Sequence, residues 1–205
     1  MAGLPQSTTV LDSILFRDAF GTAEMRDVFS DVAAVARYVE VEVALAKAEA
    51  RCGVIPQEAA AEIAARADAK ALDFGKLREE TDLVGYPILP VVHQLVKQCG
   101  EAGRYVHWGA TTQDIMDCAV VLQMREGLRI VGDDIAALRA ILASLARKHR
   151  DTAMAGRTHL QQALPVTFGY KAAIWLAMFD RHAARLEELK PRVLVGQFAG
   201  AAGTL

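Results

Sequence analysis

The sequence predicts an all-α fold, an N-terminal helical domain followed by the first long helices of a central helical bundle. Three observations carry that reading. Apolar residues step by three and four from Asp31 onward, the period of a half-buried helix. Two such stretches continue for about 30 residues each, long enough for bundle helices. Alternating apolar and polar runs joined by Asn-Gly turns, the mark of hairpins, are missing. The expected division places the N-terminal domain at residues 1–110 and the first part of the bundle at residues 111–205.

The first helix is read from Val32, Ala36, Val39, Val43, Ala46 and Ala50, with Ser30 or Asp31 as its cap. Gly53 ends it and Pro56 prevents its continuation. A shorter helix follows over Glu58 to Ala69. Gly85, Pro87 and Pro90 then break the pattern before a helix of about two turns that reaches Gln98. Gly100 and Gly103 make a loop. Around Asp114 a long helix begins and continues to about His149. Its heptad seam is Val121, Met124, Leu128, Val131, Ile135, Leu138, Leu142 and Leu145. Asp151 to Leu164 read as a loop, and Pro165 suits the first turn of a last helix to about Val195. That helix has its seam at Trp175, Phe179, His182, Leu186, Leu189 and Val193, and Pro191 should distort it late. A glycine-rich stretch, Gly196 to Gly203, follows.

Two long helices joined by a loop pack antiparallel most simply. Ile115, Ala119, Ile130 and Ile141 on the first, and Ile174 and Met178 on the second, are then left over. Further helices are needed to cover them, from other chains and from sequence beyond Leu205.

Composition narrows the function classes. Hydrophobic residues make up 53% and charged residues 23%, which suits one or two globular domains. A net charge of -2 offers no broad basic surface, so no nucleic-acid partner is expected. No apolar run reaches the ~18 residues of a membrane span, so no membrane partner is expected either. Met1 to Asp12 lacks the basic and apolar regions of a signal peptide, and a cytoplasmic location is expected. Cys52, Cys99 and Cys118 are far apart without a CxxC, and read as reduced thiols packed like small apolar groups. No HxxxH or HExxH spacing points to zinc, and neither a Rossmann fingerprint nor a Walker loop occurs. No cofactor and no metal are expected. Ser7, Ser13, Ser30 and Ser144 lack the GxSxG elbow of serine hydrolases.

Two polar constellations stand out. His107-Trp108-Gly109-Ala110-Thr111-Thr112-Gln113-Asp114 opens the long helix. A helix start exposes unpaired N–H groups and the positive end of the dipole, and two hydroxyls with a glycine make it suited to a carboxylate or phosphate. The plain alternative is an ordinary N-cap, with Thr111 or Asp114 as capping residue. The second constellation, Gly156-Arg157-Thr158-His159-Leu160-Gln161-Gln162-Ala163-Leu164-Pro165, gathers a histidine, a threonine, an arginine and two amides before a helix. Histidine gives or takes a proton near neutrality. The alternative is a loop histidine bonded to backbone. His93, His149 and His182 read as structural or solvated.

HWGATTQDIMDCA (residues 107–119) resembles the first signature region of the fumarase/aspartase, or fumarate lyase, superfamily, and GRTHLQQALPVTFG (156–169) resembles its second. GQFAGAAGTL (196–205) resembles the glycine-rich segment that follows. FRDAFGTAEMRDVFSD (16–31) and VEVALAKAEARCGVIP (41–56) resemble the N-terminal domain of the branch that holds 3-carboxy-cis,cis-muconate cycloisomerase and adenylosuccinate lyase. The resemblance implies acid/base addition–elimination across a Cα–Cβ bond of a polycarboxylate. It implies catalytic roles for His159 and Thr158, and substrate binding by His107, Thr111, Thr112, Asp114 and Gln161. It also implies a homo-oligomer, a tetramer with active sites shared between chains.

Two departures bear on the substrate. Ala19 and Phe20 stand where adenylosuccinate lyases carry an Arg-Tyr pair for the nucleotide phosphate. Glu80-Thr81 is followed by Asp82, Leu83 and Val84, without the histidine found there in those enzymes. Both disfavour a nucleotide, and the rest of the chain most resembles the cycloisomerase branch, so a cycloisomerase-like reaction is expected. Bacterial cycloisomerases carry tryptophan in place of His159, so fumarate release from a succinyl compound stays open. The superfamily's third region, whose serine is the base, has no counterpart up to Leu205, and the chain alone is expected to be inactive. A helical oligomerisation module without catalysis is the rival reading.

Overall fold

A computed structural model describes residues 9–205; Ser7 and most of the Met1–Asp12 stretch lie outside the described residues. The chain forms two compact units. One holds the residues up to Arg125 together with Val195–Leu205, and the other holds Glu126–Leu194.

The first unit is built from α1 (Ala23–Val28), α2 (Asp31–Arg51), α3 (Gln57–Arg66), α4 (Phe74–Val84), α5 (Ile88–Cys99) and the start of α6 (Thr112–Lys148). Ser30 caps α2, its Oγ accepting from the Ala33 amide at 3.2 Å. The buried face of α2 carries Val35, Tyr38, Val39, Glu42, Ala46, Glu49 and Ala50. It is rotated from the expected seam, and Val32 is exposed. Ile63 of α3, Ile88, Val91 and Leu95 of α5, and Ile115 and Ala119 of α6 complete this core.

Several boundaries differ from expectation for identifiable reasons. α3 stops at Arg66 because Ala67 turns extended, and Asp68 then caps a single 3-10 turn at Ala69–Ala71. α4 has only Leu77 buried, so no apolar stripe announces it. Its start is marked by Asp73, which accepts from the Lys76 amide, and its end by Gly85 at φ 87°. α5 begins before Pro90 rather than after it. Pro90 lies in the first turn, where the missing N–H has no helical acceptor to lose. The Gly100–Gly103 segment is a 3-10 helix, Gly100–Tyr105.

In the second unit α6 continues without a break to Lys148. The segment expected as a loop is a hairpin, β1 (Ala153–Thr158) paired antiparallel with β2 (Gln161–Thr167). The last helix, α7 (Phe168–Val193), therefore begins later than Pro165. Pro165 instead faces Ala155 in the ladder. A two-stranded ribbon is all edge, so a residue without an N–H is tolerated there. Gly156 sits at the irregularity of the ladder, where a Cβ would lie 2.4 Å from the Leu164 carbonyl oxygen. Thr167 caps α7 through the Tyr170 amide. α6 and α7 run antiparallel as expected: Arg139 pairs with Asp180 at 2.6 Å, and Leu186 covers Gly132. Pro191 is accommodated in the last turn of α7, which ends at Val193. Val131, Leu138, Ile141, Ile174, Trp175 and Met178 remain exposed, an uncovered apolar surface on both helices. No helix among the described residues is long and apolar enough to cross a membrane.

Gly169 closes the contact between the two helix ends in this unit. Its amide donates to the His149 carbonyl at 2.9 Å, and a Cβ there would lie 2.6–2.7 Å from Ala146 O, His149 O and Arg150 Cα. Since the obstruction is backbone, Gly169→Ala is expected to destabilise the protein by about 1–3 kcal/mol. Urea denaturation with an unchanged midpoint would show that α7 can shift to admit the methyl group.

Candidate active site

The chain approaches α6 through a tight turn. His107 has φ 61° and Gly109 φ 68°, and the Ala110 amide donates to the His107 carbonyl. Histidine is rarely left-handed, and this conformation costs about 1–2 kcal/mol. The turn delivers Thr111 and Thr112 to the start of α6, where the first N–H groups lack helical acceptors. Neither threonine hydroxyl is engaged in a hydrogen bond among the described residues, and both residues are half-buried.

Asp114 is differently occupied. It is 2% exposed. Its carboxylate accepts from the Thr111 amide at 2.9 Å, in the manner of an N3 acid reaching back to the cap. It also accepts from Ala199 at 2.9 Å and Gly200 at 3.0 Å, tying the glycine-rich segment to the helix start. Burial pushes the carboxyl up, but the Thr111, Ala199 and Gly200 amides, joined by the nearby His107, outweigh it. They hold the group below its ordinary value. Cys118 adds a second tie through the backbone of Gln197.

Beneath the turn lie two carboxyls that the sequence reading did not single out. Glu42 Oε1 is 2.6 Å from His107 Nδ1, and its other oxygen is buried without a partner. Glu49, two helical turns further along α2, also buries one oxygen without a partner. Burial, then the charge of Glu42, raise the Glu49 carboxyl to about 7 against the opposing effect of His107. The signal was present in the sequence: positions 42 and 49 fall three residues after Val39 and Ala46, inside the apolar stripe. A cavity of about 560 Å³ opens beside this cluster, lined by Leu45, Glu49, Trp108, Asp114, Cys118 and Phe198 among others.

The second constellation forms the tip of the hairpin. Thr158 ends β1 and pairs with Gln161 at the start of β2, with His159 and Leu160 between them. Leu160 adopts φ 56° and is 92% exposed. Thr158, His159 and Gln161 are exposed as well, and His159 makes no hydrogen bond among the described residues. The first unit thus gathers His107, Thr111, Thr112 and Asp114, and the second presents Thr158, His159 and Gln161. The other histidines keep local partners: His93 with Glu80, His149 with Thr152, and His182 with Arg185. Of the thiols, Cys99 is buried, Cys118 is partly buried, and Cys52, contrary to expectation, is exposed.

A family model described as "Lyase" matches residues 19–205. An N-acetyl-S-(2-succino)cysteine lyase of Dickeya dadantii is 47% identical over 95% of this chain and 43% of its own length. A 3-carboxy-cis,cis-muconate cycloisomerase of Acinetobacter baylyi is 46% identical over 94% of this chain and 44% of its own. The crystal structure of a fumarate lyase from Mesorhizobium sp. BNC1 superposes with a TM-score of 0.86 at 60% identity, covering 90% of this chain and 44% of that one. The chain therefore spans less than half the length of these relatives.

The raised Glu49 carboxyl has a consequence for stability. A folded carboxyl that holds its proton more tightly than the unfolded one stabilises the fold at low pH. That contribution is lost as pH rises from about 4.5 through about 7. Glu49→Gln removes the titration. The variant is expected to gain on the parent between pH 5 and pH 8, by up to roughly 3 kcal/mol. Thermal unfolding across that range reads the difference, and parallel curves would mean that Glu49 ionises normally.

Proposed function

The chain belongs to the fumarate lyase superfamily, and from that premise we propose that it supplies the substrate-binding and proton-donating parts of an acid/base addition–elimination at the Cα–Cβ bond of a polycarboxylate. The observation that carries this reading is the pair of free polar groups. Two unengaged threonine hydroxyls stand at a helix start, and an unengaged histidine stands at a hairpin tip. A protein that only oligomerises has no use for either.

In this reading Thr111, Thr112, His107 and Gln161 bind carboxylates, and Asp114 holds the loop and the glycine-rich segment around them. A base, expected from the part of the relatives beyond this chain, takes the Cβ proton. The C–H electron pair passes to the carboxylate-stabilised carbanion and then into the new double bond. The bond from Cα to the leaving group breaks, and His159, oriented by Thr158, protonates the departing atom. A histidine acid suits a nitrogen or sulfur leaving group, which favours release of fumarate from a succinyl amine or thioether. The similarity to the Dickeya lyase supports the same choice. A cycloisomerase-like reaction is the second reading, supported by similarity to the Acinetobacter enzyme.

Protein made from the complete reading frame, given a panel of N- and S-succinyl compounds and a carboxymuconate, tests both. Rising absorbance at 240 nm with a succinyl compound supports fumarate release. Turnover of the muconate alone supports the second reading, and no turnover of either removes the proposal. With the substrate in hand, His159→Asn is expected to lower kcat about 10²–10⁴-fold while KM moves little, because a leaving-group acid acts in the transition state. A kcat within about threefold of the parent would make His159 structural.

We further propose that each site is shared between copies in a homotetramer. α6 has 37 residues, a rise of roughly 55 Å. Thr112 opens that helix, and the His159 hairpin follows its end. In the proposed assembly a second chain runs antiparallel and brings its own hairpin to the first chain's Thr112. The exposed apolar faces of α6 and α7 offer the surface for such a pairing. Thr112→Val and His159→Asn proteins, each inactive, are therefore expected to regain activity when dissociated and reassembled together. Hybrids verified by native mass spectrometry that stay inactive would place each site within one chain.

A further inference from the structure

The proposed site leaves Glu42 without an assigned role, although it is among the most deeply buried charged residues of the chain at 2% exposure. A carboxylate is placed inside a helical core only against a strong opposing interaction, because its desolvation costs several kcal/mol. Among the described residues the one hydrogen-bonding partner of its carboxylate is His107, at 2.6 Å through Nδ1. The second carboxyl of the cluster, Glu49, lies further along the same face of α2 and makes no hydrogen bond to the ring.

The histidine is equally constrained. Its backbone is left-handed at φ 61°, so the side chain is turned back toward α2 while the following residues lead on to Thr111 and Thr112. Strain of this kind persists where the surroundings over-determine it. An ionised carboxylate only accepts, so the short contact puts the proton on Nδ1. The ring is then pinned at one nitrogen, and Nε2 is its remaining polar atom. The ring of His107 makes no other hydrogen bond among the described residues. Its side chain is 21% exposed, so the ring is mostly enclosed but not sealed from solvent.

We propose that Glu42 is a positioning residue for substrate binding: its buried carboxylate holds Nδ1 of His107 and thereby presents Nε2 to a substrate carboxylate beside the start of α6. The proposal rests on the reading that this loop binds a carboxylate. It gives His107 a donor role at Nε2, with Glu42 as the buried acceptor behind the ring. Glu42 touches no substrate; it acts through the histidine.

The test is a double-mutant cycle on protein from the complete reading frame, with fumarate as the probe and calorimetry as the readout. Glu42→Gln keeps the shape and an acceptor for Nδ1 but loses the charge. Both Glu42→Gln and His107→Gln are expected to weaken fumarate binding about tenfold. The double variant is expected to be no more than about threefold weaker than His107→Gln alone, since Glu42 has nothing left to position. With a turnover substrate the loss should fall on KM rather than kcat. Effects that multiply fully in the double variant, or a Glu42→Gln protein that binds as the parent does, overturn the proposal while leaving the carboxylate site intact. Fumarate that fails to bind the parent overturns the functional reading and the proposal with it. Should Glu42→Gln not fold, Glu42→Asp keeps the charge and shortens the reach. Weakened binding at unchanged Tm then supports positioning, and unchanged binding overturns it.

Discussion

The arrangement of the first unit depends on one buried carboxylate. Asp114 accepts from three backbone amides on two chain segments far apart in sequence, and so fixes both the start of α6 and the returning glycine-rich segment. Charge-assisted bonds of this kind are roughly twice as strong as neutral ones, and burial strengthens them further. The depressed carboxyl shows the same balance from the other side, since the amides outweigh the desolvation that opposes ionisation. With the helix start held, the Thr111–Thr112 hydroxyls and the free amides of the first turn have a fixed geometry toward any ligand. Glycine at position 200 belongs to the same device, because its backbone is left-handed at φ 70° where it offers its N–H to Asp114.

Much of this was legible in the sequence. Ser30 as one of two candidate caps of α2, the continuous helix from near Asp114, its antiparallel return and the exposure of Ile141, Ile174 and Met178 follow from periodicity and capping rules. Ile115, Ala119 and Ile130, expected to be left over, are instead buried, and Val131, Leu138 and Trp175 of the expected seams are exposed. The hairpin was not legible. Its seven-residue second strand, Gln161–Thr167, contains a proline and is exposed along most of its length, so no alternation marks it. α4 was missed for the converse reason, a helix with a single buried anchor. Of the site, the two motif segments were visible, but the split of roles inside the first was not. Asp114 could have faced a ligand as well as a backbone, and only the returning segment decides it.

Glu42 and Glu49 show a limit of pattern reading of a different kind. Both sit at core positions of an amphipathic helix, where a carboxylate breaks the expected period. The rule that buried charges are paired should turn such a break into a search for a partner. For Glu42 that partner is sixty-five residues away, in a loop whose own signature gives no hint of α2. The separation is why the pair emerges only from the fold.

The polar atoms of the two motifs then sort themselves by a single criterion, whether the protein already uses them. Asp114 is spent on backbone amides, and one side of His107 is spent on Glu42. Among the described residues, the hydroxyls of Thr111 and Thr112 and both ring nitrogens of His159 are not spent. The hairpin turn sets Gln161 opposite Thr158, the residue that precedes the histidine. In the proposed reading the two hydroxyls at the helix N-terminus are kept for a substrate carboxylate. Anionic oxygen is the partner that the helix start, the free hydroxyls and a donating imidazole would all favour together. The proposed carboxylate site is thus supported by the atoms the fold leaves free as well as by the family to which the chain belongs.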